Sequence, residues 1–147
     1  MNLRSIPSAV HAWVYRRSGK AIAGRMFGAP VLLLITTGRK TGRQRTTPLM
    51  YLEDGNRIVI VASNAGADKH PTWYLNLRSN PNAVIELGRR SLPVVAEEPS
   101  STETERLWPR LDQMYRGYAS YRQRTRREIP LVILRAADPA ELAKQKG

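Results

Sequence analysis

The apolar positions of the chain fall into short runs set apart by glycine, proline and charge. Val31 to Thr37 is the first dense run, Thr46 to Glu53 the second and Arg57 to Ala62 the third, with Asp54-Gly55 as a hairpin signal between the last two. Each has strand length, and the first and third are rich in β-branched residues. The unbroken apolar character of Ile58 to Ala62 predicts burial on both faces, and the tight connections make the three strands a meander. Ala83 to Leu87 and Ser91 to Ala96 flank Gly88-Arg89-Arg90 as a second hairpin, Pro93 demoting the later strand to an edge or bulge. Ile129 to Arg135 is a last strand. The expectation is an α+β domain of about six mainly antiparallel strands with flanking helices.

The remaining segments read as helices and loops. Pro7 to Phe27 carries Val10, Trp13, Val14, Ile22 and Met26 among His11, Arg16, Arg17, Lys20 and Arg25, the pattern of a basic amphipathic helix interrupted near Ser18-Gly19. Such a helix either covers the domain or lies on an anionic membrane. Ser63 to Lys69 is a small-residue loop after a buried strand, a place where a flat ligand can approach backbone. His70 to Arg78 opens with an early proline and places Trp73 and Leu77 on one helical face, which marks Trp73 as a packing residue. Ser100-Ser101-Thr102-Glu103 is a capping box ahead of Leu107, Leu111 and Met114, with Pro109 kinking the helix or starting its second part and Gly117 disturbing it. Tyr115, Tyr118 and Tyr121 recur every third residue; on one continuous helix they would fan over about a third of the circumference, as core or as a pocket wall. Arg122, Arg124, Arg126 and Arg127 form a basic cluster after them. The divisions expected are a helical segment over 1–28, the main domain over 29–137 and a polar tail over 138–147.

Length and charge narrow the possibilities. A chain of 147 residues makes one domain with a real core. Lys plus Arg number 24 against 12 Asp plus Glu, and a formal charge of +12 attracts polyanions: nucleic acid, an anionic membrane surface or a multiply charged small molecule. Cysteine is absent, which excludes disulfides, thiol catalysis and thiolate metal sites; His11 and His70 alone do not make the usual zinc ligand set. Redox chemistry must therefore come from a cofactor. No apolar run approaches a membrane span and no secretory signal opens the chain, so a cytoplasmic protein is expected, peripheral membrane contact being one of the two roles open to the N-terminal helix. The aromatics cluster with apolar residues and no nucleic-acid motif is present, which weighs against a nucleic-acid-binding module.

The stretch between the first two strands carries the candidate chemistry. Gly38 and Gly42 bound a turn with Arg39, Lys40 and Thr41 between them and Arg43, Arg45, Thr46 and Thr47 after them, donors suited to phosphate or carboxylate. The same composition also suits an ordinary solvated turn. It is not a Walker loop, because the lysine lies between the glycines and a strand follows.

Three blocks in order, Thr36-Thr37-Gly38-Arg39-Lys40-Thr41-Gly42 with Arg45 and Pro48-Leu49, Pro71-Thr72-Trp73-Tyr74-Leu75-Asn76-Leu77 with Asn80-Pro81, and Met114-Tyr115 through Tyr118 and Tyr121 to Ile129-Pro130, resemble the deazaflavin-dependent nitroreductase family of actinobacteria. The resemblance runs from about Trp13 to Arg135. It implies a split β-barrel and an oxidoreductase that takes a hydride from reduced coenzyme F420 (8-hydroxy-5-deazaflavin) to a quinone or nitroaromatic acceptor. It further implies that Arg39, Lys40, Thr41 and Arg45 meet the coenzyme's phosphate and oligoglutamate tail, and that Pro48 and Met50 line its groove. Val61, Ala62 and Ser63 would lie beside the ring, Trp73 and Asn76 on the helix that closes the groove, and Tyr115, Tyr118, Tyr121 and Ser63 on the acceptor side. Of the phenols, the central Tyr118 is the first candidate donor and Tyr121 the second. The family's characterised nitroreductase has Lys-Gly-Gly where this chain has Asn64-Ala65-Gly66, and an aromatic residue where Met50 stands. An FMN-binding split barrel is the rival enzyme, since that phosphate suits the same turn.

Overall fold

The computed structural model describes residues 25–26 and 28–146. Eight strand segments run Arg25–Met26 (β1), Ala29–Thr37 (β2), Gln44–Met50 (β3), Leu52–Asp54 (β4), Arg57–Val61 (β5), Asn82–Leu87 (β6), Arg90–Glu97 (β7) and Leu131–Ala136 (β8). Four α-helices, Thr72–Ser79 (α1), Ser101–Met114 (α2), Gly117–Arg124 (α3) and Pro139–Lys146 (α4), are interspersed, and Asn64–Gly66 forms a short 3-10 turn. The helix expected over Pro7 to Phe27 lies outside the described residues except at Arg25–Met26. There the backbone is strand, paired antiparallel with Ala29 and Pro30.

All ladders are antiparallel, in the order β3-β2-β6-β7-β8-β5-β4, with β1 also on β2. The expected Thr46-to-Glu53 strand bends at Tyr51: β3 pairs with β2, while β4 pairs with β5 at the far end of the order. The hydrogen-bonded sheet is therefore open, and the chain running from β3 into β4 draws its two ends together as a split barrel. This bend and the two-residue β1 account for eight segments where six were expected. Pro93 is less marginal than expected, since β7 lies between β6 and β8. The β8 ladder begins at Val94, and at Pro93 only the carbonyl is used on that side, accepting from Ala137 N at 3.0 Å, so the missing N–H falls at the end of the pairing.

Strand alternation sends neighbouring side chains to two cores. Leu32, Leu34, Ile60, Ala62, Ile85, Val94, Val132 and Leu134 join Trp73, Tyr74 and Leu77 of α1 in one. Val59, Val61, Leu131 and Ile133 pack with Leu107, Leu111 and Tyr118 of α2 and α3 in the other. β5 and β8 read as continuously apolar because each is covered on both sides.

The capping box forms as expected, with Glu103 N donating to Ser100 Oγ and Ser100 N to Glu103 Oε1, each at 3.1 Å, and α2 continues through Pro109. Asp54, at the tip of the β4–β5 hairpin, accepts from Arg57, Arg106 and Arg110 at 2.9 to 3.0 Å and so ties the hairpin to α2. The polar tail is helical: Asp138 and Glu141 cap each other's backbone N–H, and Arg135 holds Glu141 and Glu97.

Candidate functional site

The turn between β2 and β3 is closed by its own backbone, Gly38 N donating to Arg43 O at 2.7 Å and Gly42 N to Gly38 O at 2.8 Å, with Gly42 at φ +72°. Asn76 on α1 braces it from behind. Its Oδ1 accepts from Arg39 N at 3.1 Å and its Nδ2 donates to the buried Thr36 hydroxyl at 3.2 Å. Asn76 is 1% exposed and both ends of its amide are used within the protein, so it positions the turn. In front of it Arg39, Lys40, Thr41 and Arg45 are exposed, the Thr41 hydroxyl accepting from Arg43 N at 3.2 Å within the turn. Among the described residues no ion pair involves Arg39, Lys40, Arg43 or Arg45, whereas Arg57, Arg106, Arg110, Arg122 and Arg135 each hold a carboxylate.

These cations border two adjoining clefts. Gly38 to Thr41, Arg45, Thr72 and Asn76 line one of about 230 Å³, and Gln44 to Thr47, Thr72, Trp73 and Asn76 line a wider one of about 580 Å³. The turn and the N-terminal end of α1, both expected at the site, thus come together, although Trp73 is 5% exposed and packs mainly in the barrel core with Leu77. From Arg45 the edge strand β3 runs five residues to Met50, about 17 Å of extended chain, passing the exposed Pro48. Met50 packs in the cluster that contains Tyr115, Tyr118 and Tyr121. One strand therefore joins the basic turn to the tyrosines.

At that second end, Val61, the last residue of β5, and Ala62 just after it are buried in different cores, so neither side chain is presented to a ligand. Ser63 is half-buried and begins a strained loop in which Asn64 and Ala65 adopt φ of +46° and +53° and Gly66 +81°. A Cβ on Gly66 would stand 3.1 Å from Tyr121 Cα, so the loop lies directly against α3.

The fan of phenols on one helix is not formed. α2 ends at Met114; Tyr115 is extended at φ −147° and ψ 108°, and α3 starts afresh at Gly117. The Tyr115 ring folds over Gly117, where a Cβ would be 2.3 Å away, and its hydroxyl lies 2.8 Å from that of Tyr121. This bond to Tyr121, with burial added, raises the Tyr115 phenol above its usual pKa. Tyr118, the first candidate from sequence, lies beneath: it is 4% exposed, edge-on to Tyr115 at 5.0 Å, and burial drives its phenol far above the usual range. Tyr115 and Tyr121, by contrast, are half-buried.

Sequence reasoning missed what holds the loop. Arg127 donates from Nε to Ala67 O at 2.8 Å, from Nη2 to Ser63 O at 2.8 Å and from Nη1 to Ala62 O at 3.2 Å. Its Nη1 also lies 3.2 Å from His70 Nδ1, and the neighbouring Thr125 hydroxyl donates to Asp68 at 3.0 Å. Burial and the Arg127 charge keep the His70 pKa below its usual value. The rest of that basic cluster does other things, Arg122 pairing with Asp112 and covering the Trp108 ring at 4.0 Å, and Arg124 lying 5.7 Å from the Tyr121 ring.

A small split barrel with a basic turn at one end of an edge strand and paired phenols at the other suits an oxidoreductase that borrows its chemistry from a bound cofactor. Among the described residues no cluster of metal-ligating side chains occurs. The family model described as F420H(2)-dependent quinone reductase matches residues 8–136, and the chain belongs to that family. It is 40% identical over 129 residues, 85% of this chain and 87% of the other, to the F420H(2)-dependent quinone reductase Rv1261c of Mycobacterium tuberculosis. Among solved structures it is similar to an F420-H2 dependent reductase, FDR-A, at 39% identity and TM-score 0.66, covering 71% of this chain and 93% of that one. A second structure, described as a domain-swapped dimer, matches at 33% identity and TM-score 0.66 over 88% and 99% of the two chains.

Proposed function

We propose that this protein passes a hydride from reduced coenzyme F420 to a quinone, with the β2–β3 turn holding the cofactor's phosphate and oligoglutamate tail. The observation that carries this reading is the clustering of Arg39, Lys40 and Arg45, exposed and without carboxylate partners among the described residues, along one small cleft. A phosphate with several carboxylates fits such a donor set through charge-assisted hydrogen bonds. The cofactor supplies the hydride when bound; the protein supplies orientation and exclusion of water. Ser63 and the backbone of Val61 and Ala62 border the ring end, and Pro48 and Met50 the track between.

A quinone that takes up a hydride also needs one proton. The Tyr115 and Tyr121 hydroxyls share one hydrogen bond; with Tyr115 as its donor, the Tyr121 O–H is the one that can stabilise developing charge on the acceptor oxygen and deliver that proton. A nitroaromatic presents similar oxygen acceptors and is the second substrate class. Among the described residues no helix is long and apolar enough to cross a membrane, and a lipophilic quinone would instead be met at a surface by the basic N-terminal segment.

Fluorescence titration with F420 tests the cofactor assignment. Lys40→Ala and Arg45→Ala should each cost about 1.5 to 3 kcal/mol of affinity, the range for hydrogen bonds to charged groups. Parental affinity in both variants at low salt would remove the turn from the site.

A further inference from the structure

Three consecutive residues with positive φ, two of them not glycine, form a conformation that a short exposed loop does not hold unaided. Inside the loop the support is slight: Gly66 N bonds Ser63 O at 2.9 Å, Ala67 N bonds Asn64 O at 3.0 Å, and Asn64 Nδ2 reaches Lys69 O at 3.0 Å. From outside the loop the Thr125 hydroxyl holds Asp68, and the Arg127 guanidinium grasps the carbonyls of Ala62 and Ser63 before the strained residues and of Ala67 after them. Arg127 follows α3, which carries Tyr121, by only a few residues, and Gly66 of the loop rests on Tyr121 itself. The same fork thus fixes the end of β5 and the loop relative to the phenol pair.

We propose that Arg127 is a positioning residue for hydride transfer: by holding the Ala62–Ala67 backbone against Tyr121 it sets the ring end of the cofactor site in register with the Tyr115–Tyr121 hydroxyls. The inference rests on the proposed function and adds a residue to it whose hydrogen bonds to the loop and to His70 all lie within the protein. Hydride transfer is sensitive to displacements of this kind, a shift of about 1 Å costing on the order of 100-fold in rate. The basic turn lies at the other end of β3 and should not feel the change.

The test compares parent, Arg127→Met and Arg127→Lys by three measurements: amide hydrogen exchange in protein without cofactor, F420 affinity by fluorescence, and single-turnover oxidation of F420H2 by a menaquinone analogue at saturating protein. Arg127→Met should speed exchange about tenfold or more across residues 62–69 while leaving residues 36–45 at the parental rate. Its F420 affinity should stay close to parental and its single-turnover rate fall about 100-fold, with partial recovery on adding guanidinium ions at non-denaturing concentration. Lysine keeps the charge but reaches fewer carbonyls at once, so Arg127→Lys should show the same pattern at smaller amplitude and decides the matter if the methionine variant does not fold. Parental exchange over 62–69, a parental rate, or a rate loss that disappears at saturating cofactor would each overturn the positioning role. A parent protein that neither binds nor oxidises F420H2 overturns the proposed function and this role with it.

Discussion

Two phenols that share one hydrogen bond behave as a unit, and this decides what substitution of Tyr115 or Tyr121 should do. Tyr115→Phe or Tyr121→Phe leaves one O–H in place but removes its partner's alignment, so single-turnover rates should fall several-fold. The double variant loses the donor altogether and should fall about 100-fold or more, the usual scale of a lost general acid. Tyr118→Phe should keep the parental rate, because its hydroxyl lies in the core; a Tyr118→Phe loss equal to that of the double variant would reverse the assignment. The recurrence of tyrosine every third residue was visible in the sequence, but its meaning was not. A continuous helix sets the central phenol outward, whereas the break before Gly117 swings Tyr115 back onto Tyr121 and leaves Tyr118 underneath. Arg127 was equally illegible in its role, since its partners are backbone carbonyls about 60 positions away that no side-chain pattern encodes.

Elements were legible where their signals are local. The Ser100–Glu103 capping box, the proline opening of α1 and the two-sided burial of β5 all depend on neighbours within a few residues, and each is found. The bend at Tyr51 was not legible, because it depends on where β2 and β5 stand in the sheet. Two tests belong to this scale. Trp73 fills the core between α1 and the sheet, so Trp73→Ala should cost about 3 to 5 kcal/mol in chemical denaturation; a stable variant that has lost F420 affinity would instead give the ring a direct role in the cleft it borders. Asp54 holds the β4–β5 hairpin to α2, and its hydrogen bonds from Arg106, opposed in part by burial and reinforced by Arg57 and Arg110, depress its pKa far below the usual carboxylate range. A depressed folded pKa means the contribution is complete above the ordinary carboxylate value and is lost as pH falls through the folded one. Stability should therefore decline from about pH 4 downward, and Asp54→Asn, less stable at neutral pH, should decline less. Parallel acid profiles for parent and variant would contradict that sign.

Over the whole molecule, charge is distributed unequally in kind. The formal +12 predicted only some polyanion, and composition could not separate a small cofactor from nucleic acid or membrane. The fold narrows the choice by gathering three cations of the β2–β3 turn along one small cleft, while Arg57, Arg106, Arg110 and Arg135 are paired with carboxylates around α2 and β8. F420 affinity should accordingly weaken with added salt in the parent, and less steeply in Lys40→Ala and Arg45→Ala, as expected for exposed ionic contacts. The most direct measurement of the central claim is an anaerobic stopped-flow experiment in which F420H2 pre-bound to the protein is mixed with a menaquinone analogue and the return of the oxidised deazaflavin chromophore is followed, with reduced FMN run in parallel. The account predicts protein-dependent oxidation of F420H2 that saturates with quinone and is slowed by Lys40→Ala through cofactor affinity alone, with little turnover of FMN. Oxidation no faster than in the absence of protein, or a clear preference for FMN, would contradict it.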